Sequence, residues 1–293
     1  MLRYLYQLVF YSPDKKQNDD RHLADTPQMN VLRGTILPMI EEVSRIPYEE
    51  VFVQSHDGLK LRGRYFHVRD GAPLLICFHG YRGTPVRDFS GGTKVYLEEG
   101  YNLLMAEQRA HCGSEGHTIS FGVNERYDCL AFIRYAQERF GTSVPIALCG
   151  ISMGASTVLL ASALDLPEAV RGIIADCPYS SAPAIIKKVC RGSHLPAGLL
   201  YPMIAKTAFR YGGFRLEDAD VVSAVRSCRI PVLLLHGEAD HFVPCSMSRE
   251  IAAANPSKVT LVTFPEAGHG LSFLVDRPRY VETVTGFLRR ILA

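Results

Sequence analysis

An α/β fold built on a mostly parallel central sheet, with helices on both faces, follows from three features of the sequence. Unbroken apolar runs recur at residues 74–78, 101–106, 145–149, 172–175, 230–235 and 259–264, and strands apolar on both sides belong in a sheet covered on both faces. Helical spacing fills the intervals, most clearly over 123–140, where Tyr127, Leu130, Ala131, Ile133 and Ala136 recur at helical intervals. Ahead of these runs, residues 48–67 alternate apolar and polar around Asp57-Gly58. That pattern predicts an antiparallel hairpin at the start of the sheet.

The chain has 293 residues, 47% of them hydrophobic, and no linker-like tract. It is long enough to bury a sizeable core. Residues 1–46 read as an N-terminal helical extension and residues 47–293 as the main domain, with a helical cap inserted at about 178–227. In the extension, Leu2, Leu5, Leu8 and Val9 share one helical face, a polar bridge covers 14–20, and Met29, Leu32, Ile36, Ile40 and Val43 form a second periodic stretch that Pro38 interrupts. One or two helices packed on the outside of the fold are expected there. The insertion, about residues 180–220, is too long for a simple crossover. It lies where open α/β sheets bind ligands, beyond the carboxyl ends of the strands. A helix over about 278–292 closes the chain.

Thirty-two basic against thirty acidic residues leave a formal charge of +2. That balance offers no electrostatic case for nucleic acid or an anionic membrane as the main partner, and small neutral substrates suit it better. Eight cysteines are scattered without C-x-x-C pairs, which predicts reduced thiols. Residues 1–11 are apolar but contain Arg3 and Gln7 and lack a cleavage site. They reach about half of the ~20 residues a membrane span needs. Cytoplasmic residence is the default expectation, with a peripheral amphipathic anchor as the open alternative.

The chemistry is concentrated at residues 144–159, V-P-I-A-L-C-G-I-S-M-G-A-S-T-V-L. This stretch parses as buried strand, sharp turn and helix, with Ser152 at the apex of G-x-S-x-G. Such a turn lifts a serine hydroxyl clear of the sheet edge, and small residues on either side let the helix approach the strand. Three further motifs accompany it: H-G-Y-R-G at residues 79–83, H-G-E-A-D-H-F-V-P at 236–244 and G-H-G at 268–270.

Together these motifs resemble the α/β-hydrolase superfamily, in the bacterial branch related to acylaminoacyl-peptidases and feruloyl-type esterases, over about residues 48–292. A serine hydroxyl needs an imidazole to take its proton, and the imidazole needs a carboxylate to fix its tautomer. In the fold's chain order of Ser, Asp and His, the resemblance implies Ser152 as nucleophile, Asp240 as acid and His269 as base. Asp176, which ends the strand after the nucleophile helix, is the alternative acid. The backbone amides of Tyr81 and Met153 are the expected oxyanion hole. The expected activity is hydrolysis of small or medium carboxylic esters through an acyl-enzyme, without metal or organic cofactor. Hydrolysis of acylaminoacyl or short peptide substrates is the alternative, and a non-catalytic scaffold a third possibility. The oligomeric state stays open. A haloalkane dehalogenase is excluded as an ordinary case, since that chemistry needs an aspartate where Ser152 stands.

The stretch 107–122 resembles the family's D-x-R-G-x-G-x-S-x-G loop, with Glu107 in place of the usual aspartate and Ala110-His111 in place of a glycine-rich turn. An altered structural ion pair is expected from this. Arg109, His111 and His117 can be read as a metal or phosphate site, or, more simply, as parts of an Arg–carboxylate brace. His79, His236 and His241 are expected to hydrogen-bond loops, and Lys187, Lys188 and Arg191 to form a solvated helix face. In the insertion, Ile185, Ile186, Val189, Leu195, Leu199, Leu200, Met203 and Phe209 offer an apolar inventory for an acyl pocket.

Overall fold

The computed structural model describes residues 1–12, 20–194 and 196–293. Eight strands form one sheet: β1 (Glu49–Gln54), β2 (Lys60–Phe66), β3 (Leu74–Phe78), β4 (Asn102–Ala106), β5 (Ile146–Ile151), β6 (Val170–Asp176), β7 (Val232–Gly237) and β8 (Val259–Phe264). Their order is β1-β2-β4-β3-β5-β6-β7-β8. The first two pairings, β1 with β2 and β2 with β4, are antiparallel, and all the others are parallel. Asp57-Gly58 lies in the turn between β1 and β2, as the alternation predicts.

The unbroken apolar runs have a direct cause. Alternate residues of a strand point to opposite faces, and in β3 Leu74, Ile76 and Phe78 enter one core while Leu75 and Cys77 enter the other. The first core is closed by α5 (Glu125–Phe140), α6 (Met153–Ala161), α9 (Val221–Arg226) and α10 (Cys245–Ala254), through Phe132, Leu159, Val225 and Ile251. The second is closed by α4 (Gly92–Glu98) and α12 (Arg277–Leu292), through Tyr96 and Phe287. Short helices α3 (Pro85–Asp88) and α11 (Ser272–Val275) flank the strand ends. The eight cysteines are free thiols.

Between β6 and β7 the chain makes α7 (Ala182–Gly192), α8 (Ala197–Thr207), a π-turn (Ala208–Gly212) and a 3₁₀ turn (Leu216–Asp218) before α9. The apolar inventory of this insertion divides. Ile185 and Ile186 are buried in the core, whereas Val189, Leu199 and Phe209 face solvent, and Leu195 lies outside the described residues. These side chains therefore do not form a single pocket lining.

The N-terminal segment folds as α1 (Leu2–Val9) and α2 (Pro27–Ser44). The polar bridge between them falls mostly outside the described residues. α2 runs through Pro38 without a break, contrary to the interruption expected from the sequence. A proline forfeits the bond to the residue four before it, here Gly34, and its ring crowds that residue's carbonyl. Ile36, Ile40 and Val43 pack against Val86 and Leu271 and hold the helix across that defect. Nor is the segment merely external: Phe10 is fully buried, edge-on to Phe121 and Phe214. Among the described residues, no helix is long and apolar enough to cross a membrane.

Candidate active site

Ser152 sits between β5 and α6 with φ 55° and ψ −116°, a conformation that costs an L-residue of order 1–3 kcal/mol. The turn is over-determined. Its amide donates to the Asp176 carbonyl at 2.8 Å, and a side chain at Gly150 or Gly154 would collide with Gly154 backbone or with the Phe78 carbonyl. Small residues are thus required where β5 and α6 nearly touch. The hydroxyl is left at the carboxyl edge of the sheet.

His269 follows β8 and Asp240 follows β7, so both loops come to that same edge. His269 Nε2 lies 2.9 Å from Ser152 Oγ, and His269 Nδ1 lies 2.6 Å from Asp240 Oδ2. The other oxygen of Asp240 accepts from the amides of Phe242 and Val243 at 2.9 and 2.8 Å. Burial alone would raise the pKa of Asp240, but hydrogen bonds from His236 and His269 hold it well below the usual carboxylate range. Phe242 turns its half-exposed ring edge-on to His269, 5.1 Å between centroids.

Asp176 is placed differently. Its Oδ2 accepts from the Tyr280 hydroxyl at 3.0 Å, and its Oδ1 is buried without a partner. Burial pushes its pKa up to about 6. No hydrogen bond joins it to His269, which already gives its Nδ1 to Asp240.

The two amides expected to form an oxyanion hole lie at the start of α6 and on the turn after β3. Met153 is the first residue of α6, and its N–H therefore has no intrahelical acceptor. Tyr81 lies on the turn after β3, and that turn is pinned on both sides: the Gly80 amide donates to Asp88 Oδ2 at 2.7 Å and the Arg82 amide to His111 Nε2 at 3.0 Å.

A family model of the alpha/beta hydrolase fold matches residues 73–210. An esterase of Pyrococcus furiosus superposes with a TM-score of 0.72 at 23% identity, covering 86% of this chain and 94% of its own. The chain has the α/β-hydrolase fold. An acylaminoacyl peptidase of Pyrococcus horikoshii shares it, with a TM-score of 0.63 at 16% identity over 84% of this chain and 42% of that one. By sequence, the protein YqkD of Bacillus subtilis is 24% identical over 237 residues, 80% of this chain and 77% of its own. The fold that the four motifs imply is borne out.

On this hydrolase fold the 107–122 loop carries two separate braces. Glu107, buried, takes Arg62 at 2.6 and 2.8 Å, Arg64 at 3.0 Å and the Gly113 amide at 2.7 Å. Arg109 forks onto Asp128, 2.6 Å to each oxygen, and onto Asp57 at 2.8 and 3.0 Å. His111 and His117 have other partners. His117 Nδ1 bonds the Ser12 carbonyl, while His111 Nδ1 donates to the Arg109 carbonyl at 2.8 Å. The Arg–carboxylate reading fits this loop, and the metal or phosphate reading does not.

His79 and His111 are neutral imidazoles used as loop fasteners. Each donates from Nδ1 to a carbonyl and accepts a backbone amide at Nε2, His79 from Gln108 and His111 from Arg82. Burial lowers the pKa of both, that of His111 strongly and with His79 adding to it. His236 bonds Ser248 at 2.7 Å and the Val243 carbonyl at 2.8 Å. The His241 carbonyl accepts from Lys188. Among the described residues, Cys177, Asp240 and His269 bring ligand-type atoms within 4.8 Å of one another. A metal would need the Cys177 thiolate, and burial pushes that thiol far up.

The sequence reading missed how the N-terminal segment grips the site. Gln28, at the start of α2, accepts from the Gly268 amide and donates to the Glu266 carbonyl, both at 2.8 Å, and so clasps the loop that carries His269. From the end of α1, the Val9 carbonyl accepts from the Tyr81 hydroxyl at 2.8 Å and the Leu8 carbonyl from Arg82 at 3.0 Å. A glutamine just after Pro27 reads as an ordinary surface helix start, and nothing in its spacing points 240 residues downstream.

Proposed function

We propose that this protein is a serine hydrolase that cleaves carboxylic esters of small or medium acyl groups. The unbroken hydrogen-bonded line from Asp240 through His269 to Ser152, ending at a strained serine, carries the reading. Ser152 Oγ attacks the ester carbonyl as His269 Nε2 takes its proton. Ionised Asp240 fixes the Nδ1–H tautomer and stabilises the imidazolium. The Tyr81 and Met153 amides receive the oxyanion, and His269 then protonates the departing alcohol. Water, activated by the same histidine, releases the acid. No step calls for a metal or organic cofactor.

Ester and peptide hydrolysis use the same machinery, so what surrounds the site decides between them. A peptidase has to capture a substrate's terminus or amide with polar groups. Here Asp88 is held by Arg87 and the Gly80 amide, and Asp176 is buried. The flanks are apolar and aromatic instead: Tyr81 against Phe121 and Phe242 against His269. Each methylene buried there is worth about 0.8 kcal/mol, roughly fourfold in efficiency. With 4-nitrophenyl esters, kcat/KM is expected to rise beyond acetate, peak at short to medium chain length and then fall, while aminoacyl-anilides are cleaved slowly. Faster turnover of the anilides at matched concentration would transfer the assignment to the acylaminoacyl-peptidase class.

Gln28 supplies a second test of the same site. Gln28→Ala removes both bonds to the histidine loop but no group that touches substrate. Displacing a catalytic base by a fraction of an ångström is expected to lower kcat about tenfold with KM little changed. Gln28→Glu keeps an acceptor for the Gly268 amide and is expected to recover part of the loss. Unchanged kcat in Gln28→Ala would show that the loop holds its own position.

A further inference from the structure

The near-neutral charge of the whole chain conceals a strong segregation. Residues 177–216, which build α7, α8 and the π-turn, contain Lys187, Lys188, Arg191, Lys206, Arg210 and Arg215 and not one aspartate or glutamate. Residues 1–12, which build α1, add Arg3 and again no acid. The protein has 30 acidic groups in 293 residues, so a stretch of this combined length would ordinarily hold about five.

The same elements expose large apolar side chains. Tyr4 is 67% exposed and Leu8 56% on α1, Leu199 66% on α8, and Phe209 58% in the π-turn. The Tyr6 ring packs 5.6 Å from that of Tyr211, so α1 lies alongside the π-turn and their solvent faces adjoin. Cations stand over the aromatics: Arg215 is 5.0 Å from the Phe209 ring centre and Arg210 5.8 Å from that of Tyr211. On α7, Lys187, Lys188 and Arg191 line an open cleft of about 430 Å³.

Exposed apolar side chains set among basic groups, with acids entering only from Glu217, which bonds the Tyr201 hydroxyl of α8, match a layer of anionic headgroups above an acyl interior. Nucleic acid or an acidic protein surface would satisfy the charges but would give Tyr4, Leu8, Leu199 and Phe209 nothing to enter. We propose that α1, α8 and the π-turn dock this protein on an anionic lipid bilayer, with those side chains at the acyl boundary and Lys206, Arg210 and Arg215 at phosphate level. The docking face is tied to the active site. α1 bonds the Tyr81–Arg82 turn, and Lys188 of α7 bonds the His241 carbonyl beside Asp240.

Vesicle co-sedimentation of the full chain, as wild type and as Ser152→Ala, tests the proposal separately from catalysis. Both proteins are expected to partition at least tenfold more strongly onto phosphatidylcholine vesicles carrying about 30 mol % phosphatidylglycerol than onto phosphatidylcholine alone, and added salt should weaken this. Lys206→Glu with Arg210→Glu should lower partitioning at least tenfold. Tyr4→Ser with Phe209→Ser should also lower it, and both double variants should retain turnover of a soluble 4-nitrophenyl ester. Equal recovery with both vesicle types overturns the proposal. So does full binding by the Tyr4→Ser, Phe209→Ser protein, which would point to an acidic macromolecule recognised by charge alone.

Discussion

Ser152→Ala is expected to abolish labelling by a fluorophosphonate probe and to cost on the order of 10⁶-fold in ester turnover. The site concentrates its effort on that one oxygen. The serine backbone is held at φ 55° by its amide bond to the Asp176 carbonyl and by the close approach of β5 and α6. A turn strained by of order 1–3 kcal/mol persists only where its surroundings enforce it. His269 Nε2 lies 2.9 Å from the serine hydroxyl oxygen. Alanine fits the same turn, so the variant should fold normally and its loss should be chemical. What remains after the substitution is binding and the two amides at Tyr81 and Met153, and these leave a residual rate far below the acyl-enzyme route. Wild-type protein that is intact at neutral pH yet unlabelled by the probe would overturn the hydrolase assignment and favour a scaffold.

What the sequence made legible, and what it did not, follows from the range of the interactions. Strands with two buried faces must be apolar at every position, so β3, β5 and β7 are visible as runs. The elbow is visible because its geometry demands glycine at fixed offsets from Ser152. Asp240 and His269 are legible through short local motifs that end strands. The insertion illustrates the opposite case. Its apolar residues are visible in the sequence, but whether Ile185 points inward and Leu199 outward depends on how α7 and α8 lie on the sheet. The helix through Pro38 is a matter of tertiary packing outweighing one lost hydrogen bond. Gln28 and the Val9 carbonyl act across long chain separations, each bond pairing a side chain with a backbone group, and a backbone partner leaves no compositional trace. Net charge is silent for a different reason: a sum over 293 residues carries no trace of the acid-free stretch at 177–216.

Asp240→Asn is expected to lower turnover about 10⁴-fold while leaving the protein folded. Asp240 offers His269 Nδ1 an ionised oxygen at 2.6 Å, and its second oxygen is fixed by the amides of Phe242 and Val243. An asparagine there can keep its oxygen on those two amides only by turning its NH₂ toward the imidazole. That NH₂ favours the tautomer with its proton on Nε2, which can no longer take one from Ser152. The alternative acid lacks each of these advantages. Asp176 is bonded by Tyr280 and not by His269, its other oxygen is orphaned, and burial raises its pKa to about 6. Because that folded value lies above the ordinary 3.8, the Asp176 charge opposes folding once the pH exceeds the ordinary value. The neutral amide of Asp176→Asn removes that opposition. Asp176→Asn should therefore cost no more than about tenfold in turnover, with no loss of thermal stability at pH 8 that a missing charge would explain. Measuring kcat/KM and Tm for the two variants side by side separates the assignments. A larger loss of turnover in Asp176→Asn than in Asp240→Asn would move the orienting carboxylate to the end of β6, and the fold would stand unchanged.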